Sequence, residues 1–133
     1  MKENEITGKL IELFLRIHRG LGPGLLESVY EEAICYELDK EEIPYKRQEE
    51  IPVLYNGVTL GKGFRSDIIV MDKVIIEIKS VEHVLPVHYK QLLTYLRLSD
   101  KRVGLLVNFN VELIKNGVRR VINGYLDEQG EDA

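Results

Sequence analysis

A chain of 133 residues, 44% hydrophobic and 30% charged, has room for one domain with a real core and carries the composition of an ordinary globular protein. Its formal net charge of -4 argues against a general nucleic-acid coat, which needs a basic surface, but is compatible with a carboxylate-lined metal site. No apolar run approaches the ~20 residues of a membrane helix, Met1-Lys2-Glu3-Asn4-Glu5 is too acidic for a secretory leader, and the single Cys35 excludes an internal disulfide, so a cytoplasmic location is expected.

Ile6, Leu10, Leu13, Phe14, Ile17 and Leu21 recur at helical spacing and predict an amphipathic helix from Asn4 to about Arg19. Gly20-Leu21-Gly22-Pro23-Gly24 ends it as a tight interhelical turn, because it lacks the preceding strand and the Lys-Ser/Thr of a phosphate-cradling loop. A second helix is expected from about Leu26 to Lys40, with Leu26, Val29, Tyr30, Ala33, Ile34 and Leu38 as its core stripe and Cys35 as a small buried hydrophobe.

After Pro44 the pattern changes to strands. Lys46 to Tyr55 is one candidate, with Pro52 marking an edge or a bulge. Asn56-Gly57 signals a hairpin that returns through Val58 to Lys62. Phe64–Val70 and Val74–Lys79 form the next pair. Pro86 opens a helix to about Leu98, buried through Leu92, Leu93 and Leu96. The near-continuous apolar run from Arg102 to Phe109 fits a strand covered on both faces, and Val118 to Ile122 is a last strand. The order gives an α/β domain, residues 1–126, with a central mixed β-sheet flanked by helices, followed by an acidic tail, 127–133.

Chemistry concentrates between Phe64 and Lys79. Glu77 and Lys79 are two apart and share one face of their strand, while Val74, Ile76 and Ile78 turn to the other. A three-residue loop, Met71-Asp72-Lys73, pairs Val70 with Val74 and sets Asp67 directly across from Glu77. A two-residue loop slips the register and sends Asp67 to the opposite side. Two-residue turns favour glycine or asparagine, which Asp72-Lys73 lacks, so the odd loop is preferred. Two carboxylates ~4 Å apart repel by ~4 kcal/mol at the effective dielectric near a protein surface. Such a pair needs protons, Lys79 or a metal to offset it, and hard oxygen donors suit Mg2+ or Mn2+. An ion of that kind polarises a phosphoryl oxygen and lowers the pKa of water. Spacing alone does not separate this reading from a solvated sheet face.

The full pattern resembles the PD-(D/E)XK nuclease superfamily, with its restriction-endonuclease-like fold, and within it the GxxExxY branch. The resemblance rests on Gly24-Leu25-Leu26-Glu27-Ser28-Val29-Tyr30, Phe64-Arg65-Ser66-Asp67, Glu77-Ile78-Lys79, Gln91-Leu92-Leu93-Thr94-Tyr95-Leu96 and the strand from Gly104 to Phe109. It extends from about Ile6 to Ile122. It departs at Ser66, where alanine is expected. The resemblance implies Asp67 and Glu77 as metal ligands, Lys79 as the catalytic lysine, Glu27 as an acid that completes or supports the metal shell, and Gln91 with Tyr95 as a helix pair flanking the site.

Other residues weigh less. An acid such as Glu27 near a helix start is favoured by the dipole alone. Tyr30 is expected to pack. Gln91 and Tyr95 share a helix face with His88, and Gln91 is read as lining a cleft over Glu77 and Lys79. His83 and His88 show no zinc spacing, and Lys115, Arg119 and Arg120 read as a solvated edge. The leading expectation is a Mg2+- or Mn2+-dependent nuclease cleaving phosphodiester bonds, with DNA as partner. The alternatives are a non-catalytic binding or assembly module, with a homo-oligomer contact near the Lys46–Tyr55 edge, and a hydrolase of nucleotides or other small phosphates.

Overall fold

The computed structural model describes residues 1–124, and the expected acidic tail lies outside the described residues. Helices α1 (Glu3–Leu21) and α2 (Glu27–Lys40) precede strand β1 (Tyr45–Ile51), a small hairpin of β2 (Leu54–Tyr55) and β3 (Val58–Thr59), and strands β4 (Phe64–Val70) and β5 (Val74–Lys79). Helix α3 (Pro86–Ser99) then crosses to β6 (Val103–Asn108), and a short 3-10 turn at Ile114–Asn116 leads to β7 (Val118–Ile122). The sheet runs β1-β4-β5-β6-β7. Among the described strands only β5 and β6 pair in parallel, as a helical crossover requires, so the sheet is mixed.

Side-chain parity divides the core. Ile68, Ile76 and Ile78 face α1 and α2, where Leu10, Phe14 and Ile34 are buried against them. Ile69, Ile75 and Leu106 face α3 through Leu92 and Leu96. Each such leucine or isoleucine contributes about 1.5–3 kcal/mol on burial. All six residues of β6 are buried, as its continuous apolar run predicts. Gly104 lets α3 approach closely, since a Cβ there would meet a Leu92 methyl at 2.8 Å. Cys35 is buried, and that burial pushes its thiol up to about 11.

Three expectations are corrected. The α2 stripe keeps Tyr30, Ile34 and Leu38 but loses its two earliest members. Leu26 is a cap outside the helix and 74% exposed, Val29 is exposed, and Glu31 is buried instead, while Cys35 is buried as expected. The predicted strand to Tyr55 is cut at Pro52, which cannot donate to the ladder, so β1 stops at Ile51 on the sheet edge. Leu21 is exposed because α1 ends on it. No helix among the described residues is long and apolar enough to cross a membrane.

Candidate active site

The β4–β5 hairpin decides the parity of the acids. Its ladder pairs Val70 with Val74, Ile69 with Ile75 and Ile68 with Ile76. Met71 and Asp72 both take left-handed φ, 52° and 57°, and Lys73 donates its N–H to Val70 O at 3.0 Å, giving the odd three-residue loop. Counting on from Ile68 and Ile76 sets Asp67 opposite Glu77. The paired ladder stops short of them, and the Asp67 carboxylate takes the place of a backbone acceptor: Oδ2 accepts the Ile78 N–H at 2.7 Å. Strand β5 is still held beyond this point from its other side, because its pairing with β6 continues to Lys79 and Asn108. The acids therefore sit where β4 and β5 part, on a strand anchored from behind.

Asp67 and Glu77 lie within electrostatic reach of each other, and both feel Lys79. Burial pushes the Glu77 carboxyl up to about 8, the Asp67 charge adds to that, and the Lys79 ammonium opposes it. Burial also raises Asp67, against the Ile78 N–H, while the charges of Glu31 and Glu27 add to the rise. The Oε1 atom of Glu77 is buried with no hydrogen-bond partner. An orphaned carboxylate oxygen beside a second carboxylate is a donor set for a hard cation, and Mg2+ commonly takes one or two carboxylates and keeps water elsewhere. The residues present therefore fit a divalent ion. Among the described residues no group of three or more acid, histidine or cysteine side chains stands ready for a metal, so the arrangement offers a pair rather than a closed cage.

Glu27 approaches from α2. It is exposed, and its Oε1 accepts the Ser80 N–H at 3.3 Å, just past Lys79. It lines a cavity of about 190 Å³ with Ser28, Glu31, Gln48, Asp67 and Ile78. A wider groove of about 530 Å³ shares Glu27 and Ser28 with it and reaches Ser80 and Asn110. Buried Asn108 fixes the segment leaving Lys79, accepting the Val81 N–H at 3.1 Å and donating to Val81 O at 2.9 Å.

Gln91 is exposed and stands one turn before Tyr95 on α3. The Tyr95 ring stacks on Phe64 at 3.8 Å, and the charges of Glu77 and Asp67 reach its phenol and raise it, after burial. Tyr95 thus flanks the acid pair from α3, with Gln91 four residues earlier on the same helix face. His88 does not join them, because its Nδ1 accepts the Leu85 N–H at 3.1 Å and caps the helix start. His83 lies exposed beside Glu82.

Tyr30 packs, as its spacing implies, and also pins the loop that carries Glu27. Its ring stacks on Phe109 at 4.2 Å, and its hydroxyl donates to Gly22 O at 2.6 Å and accepts the Leu25 N–H at 3.1 Å. Gly22 and Gly24 hold φ of 71° and 92° in that loop, which glycine adopts without strain. Ser80 Oγ donates to Leu25 O at 2.6 Å and ties the loop to the end of β5. A Tyr30→Phe variant is expected to lose about 1–3 kcal/mol in urea denaturation, since it leaves two backbone groups without their partner.

Two residues of the site carry little sequence signal. Glu31 is one helical turn after Glu27 and so on nearly the same face, a spacing that marks it only once Glu27 is suspected. Nothing in the local sequence marks Gln48.

A family model described as the PD-(D/E)XK nuclease superfamily matches residues 4–121. No curated protein sequence matches the chain. Among solved structures, SSO0001 superposes with a TM-score of 0.55 at 22% identity, over 72% of this chain and 49% of that one. An alkaline exonuclease from Laribacter hongkongensis superposes with a TM-score of 0.50 at 14% identity, over 92% of this chain and 72% of that one. The chain thus spans about half the length of the first of these proteins. At these identities the likeness carries the fold.

Proposed function

This chain belongs to the PD-(D/E)XK nuclease superfamily, and from that premise we propose that it is a Mg2+- or Mn2+-dependent nuclease hydrolysing phosphodiester bonds in DNA. The observation that carries the reading is the half-buried Asp67–Glu77 pair, with a buried, unpartnered Glu77 carboxylate oxygen, beside Lys79. Asp67 and Glu77 would hold the ion, with Glu27 at the rim. A bound divalent ion supplies Lewis acidity toward a phosphoryl oxygen and a lowered pKa for water. Lys79 places a positive charge where the attacked phosphate gains negative charge. Gln91 and Tyr95 bound the cleft on the α3 side, and the Tyr95–Phe64 stack keeps that wall rigid. Within the superfamily we assign the chain to the GxxExxY branch on Gly24, Glu27 and Tyr30.

Purified protein is expected to shorten end-labelled DNA with Mg2+ or Mn2+ and to stop on addition of chelator. Parallel reactions on RNA and on nucleoside triphosphates identify the substrate class. Failure to cut any polynucleotide with either ion removes the nuclease reading. A second reading is then the stronger one, and one feature supports it: the β2–β3 hairpin exposes Leu54, Tyr55 and Val58. Exposed apolar side chains on a projecting hairpin suit a contact with another copy of the chain or a partner protein.

A further inference from the structure

One residue of β1 departs from strand geometry. Gln48 has a φ of 48°, and a non-glycine residue held in the left-handed region costs of order 1–3 kcal/mol. The β1–β4 ladder pairs Arg47 with Ile68 and Glu49 with Ser66, and it omits Gln48 and Asp67 between them. The strained residue therefore stands opposite the aspartate of the acid pair. Its conformation serves one contact: Nε2 of Gln48 donates to Oε1 of Glu31 at 2.6 Å. The other oxygen of Glu31 accepts both the Nε and the Nη2 of Arg47, at 3.3 and 2.8 Å.

Glu31 is thus buried with both carboxylate oxygens fixed by neighbours from β1. It shares its cavity with Asp67, and its charge reaches the Asp67 carboxyl. Glu27, one turn earlier, is exposed and bound to a loop N–H. Of the two acids on this face of α2, Glu31 is the one the fold holds rigidly. Groups that hydrogen-bond around a metal site without ligating the ion orient its ligands and its water, and they sharpen its affinity.

We propose that Gln48 is a positioning residue for a divalent ion held by Asp67 and Glu77: its left-handed backbone and its amide fix Glu31 as an outer carboxylate facing that ion's water. This rests on the nuclease reading above. The test is calorimetric titration of MnCl2 into the full chain and its variants. Gln48→Gly accepts the left-handed backbone without strain but deletes the amide. It is expected to unfold close to the wild-type temperature and to bind Mn2+ about 10-fold more weakly. Gln48→Ala is expected to show the same loss of affinity together with a lower Tm. Glu31→Gln should weaken binding at least as much as Gln48→Gly does. A residue that only supports the fold would move Tm and leave the Mn2+ affinity alone. Wild-type affinity in Gln48→Gly, or in Glu31→Gln, overturns the inference while leaving the nuclease reading in place. A wild-type chain that gives no saturable Mn2+ heat overturns both.

Discussion

Asp67→Asn and Lys79→Met are each expected to lower DNA cleavage by at least about 10²–10³-fold, the usual cost of deleting one preorganised electrostatic group. The two variants should fail differently. The amide of the Asp67→Asn variant keeps an oxygen that can accept the Ile78 N–H, now bonded to Asp67 at 2.7 Å, and it removes a charge from beside Glu77. This variant is therefore expected to fold normally, to melt no lower than wild type without metal, and to lose divalent-ion binding. The Lys79→Met variant keeps an apolar stem and discards the ammonium. It should still bind the ion, because both carboxylates remain, and should lose turnover. Single-turnover cleavage and Mn2+ calorimetry on the same preparations separate the two failures. If either variant cleaves at the wild-type rate, the acid pair and the lysine are not the reactive centre.

The second large effect is on stability. The folded-state pKa of Glu77 is about 8 against an ordinary 4.5, so the folded chain holds this proton more tightly than the unfolded one. A raised carboxyl pKa contributes stability that is complete below pH 4.5 and is lost as pH climbs toward 8. Asp67 shifts in the same direction. The metal-free protein is thus expected to melt at a higher temperature at pH 5 than at pH 8, with a difference on the order of a few kcal/mol. Glu77→Gln is neutral at both values. It should flatten most of that slope and melt above wild type at pH 8. Adding Mg2+ at pH 8 should restore wild type, where the ion replaces the proton, and leave the glutamine variant unchanged. A wild-type melting temperature that rises from pH 5 to pH 8 without metal would mean that the Glu77 carboxyl is not held up by desolvation beside Asp67.

Much of this centre can be read from one parity argument. Glu77 and Lys79 share a strand face by spacing alone, and the odd loop at Met71-Asp72-Lys73 brings Asp67 across from Glu77. The structure has that loop and that register. β5, β6 and β7 were legible because β-branched and apolar runs were bounded by turns and charge. Other features depend on contacts distant in sequence. The burial of Glu31 is set by Arg47 and Gln48, which lie sixteen and seventeen residues further on. The setting of Tyr30 has a similar origin, since its ring is fixed by Phe109, which follows β6 far along the chain. The backbone conformation of Gln48 has no local cause in its neighbours' identities, and its amide contact with distant Glu31 gives it a reason.

The dependence of β5 on a parallel neighbour also orders events in time. The β4–β5 hairpin joins segments close in sequence and can zip within microseconds of collapse. The far end of β5 is registered by Asn108, which reaches it only after α3 has formed and crossed over. A chain still emerging from the ribosome can therefore carry both acids on a finished hairpin while the lysine end remains unmoored. The acid pair and Lys79 come into one fixed register only when that crossover closes.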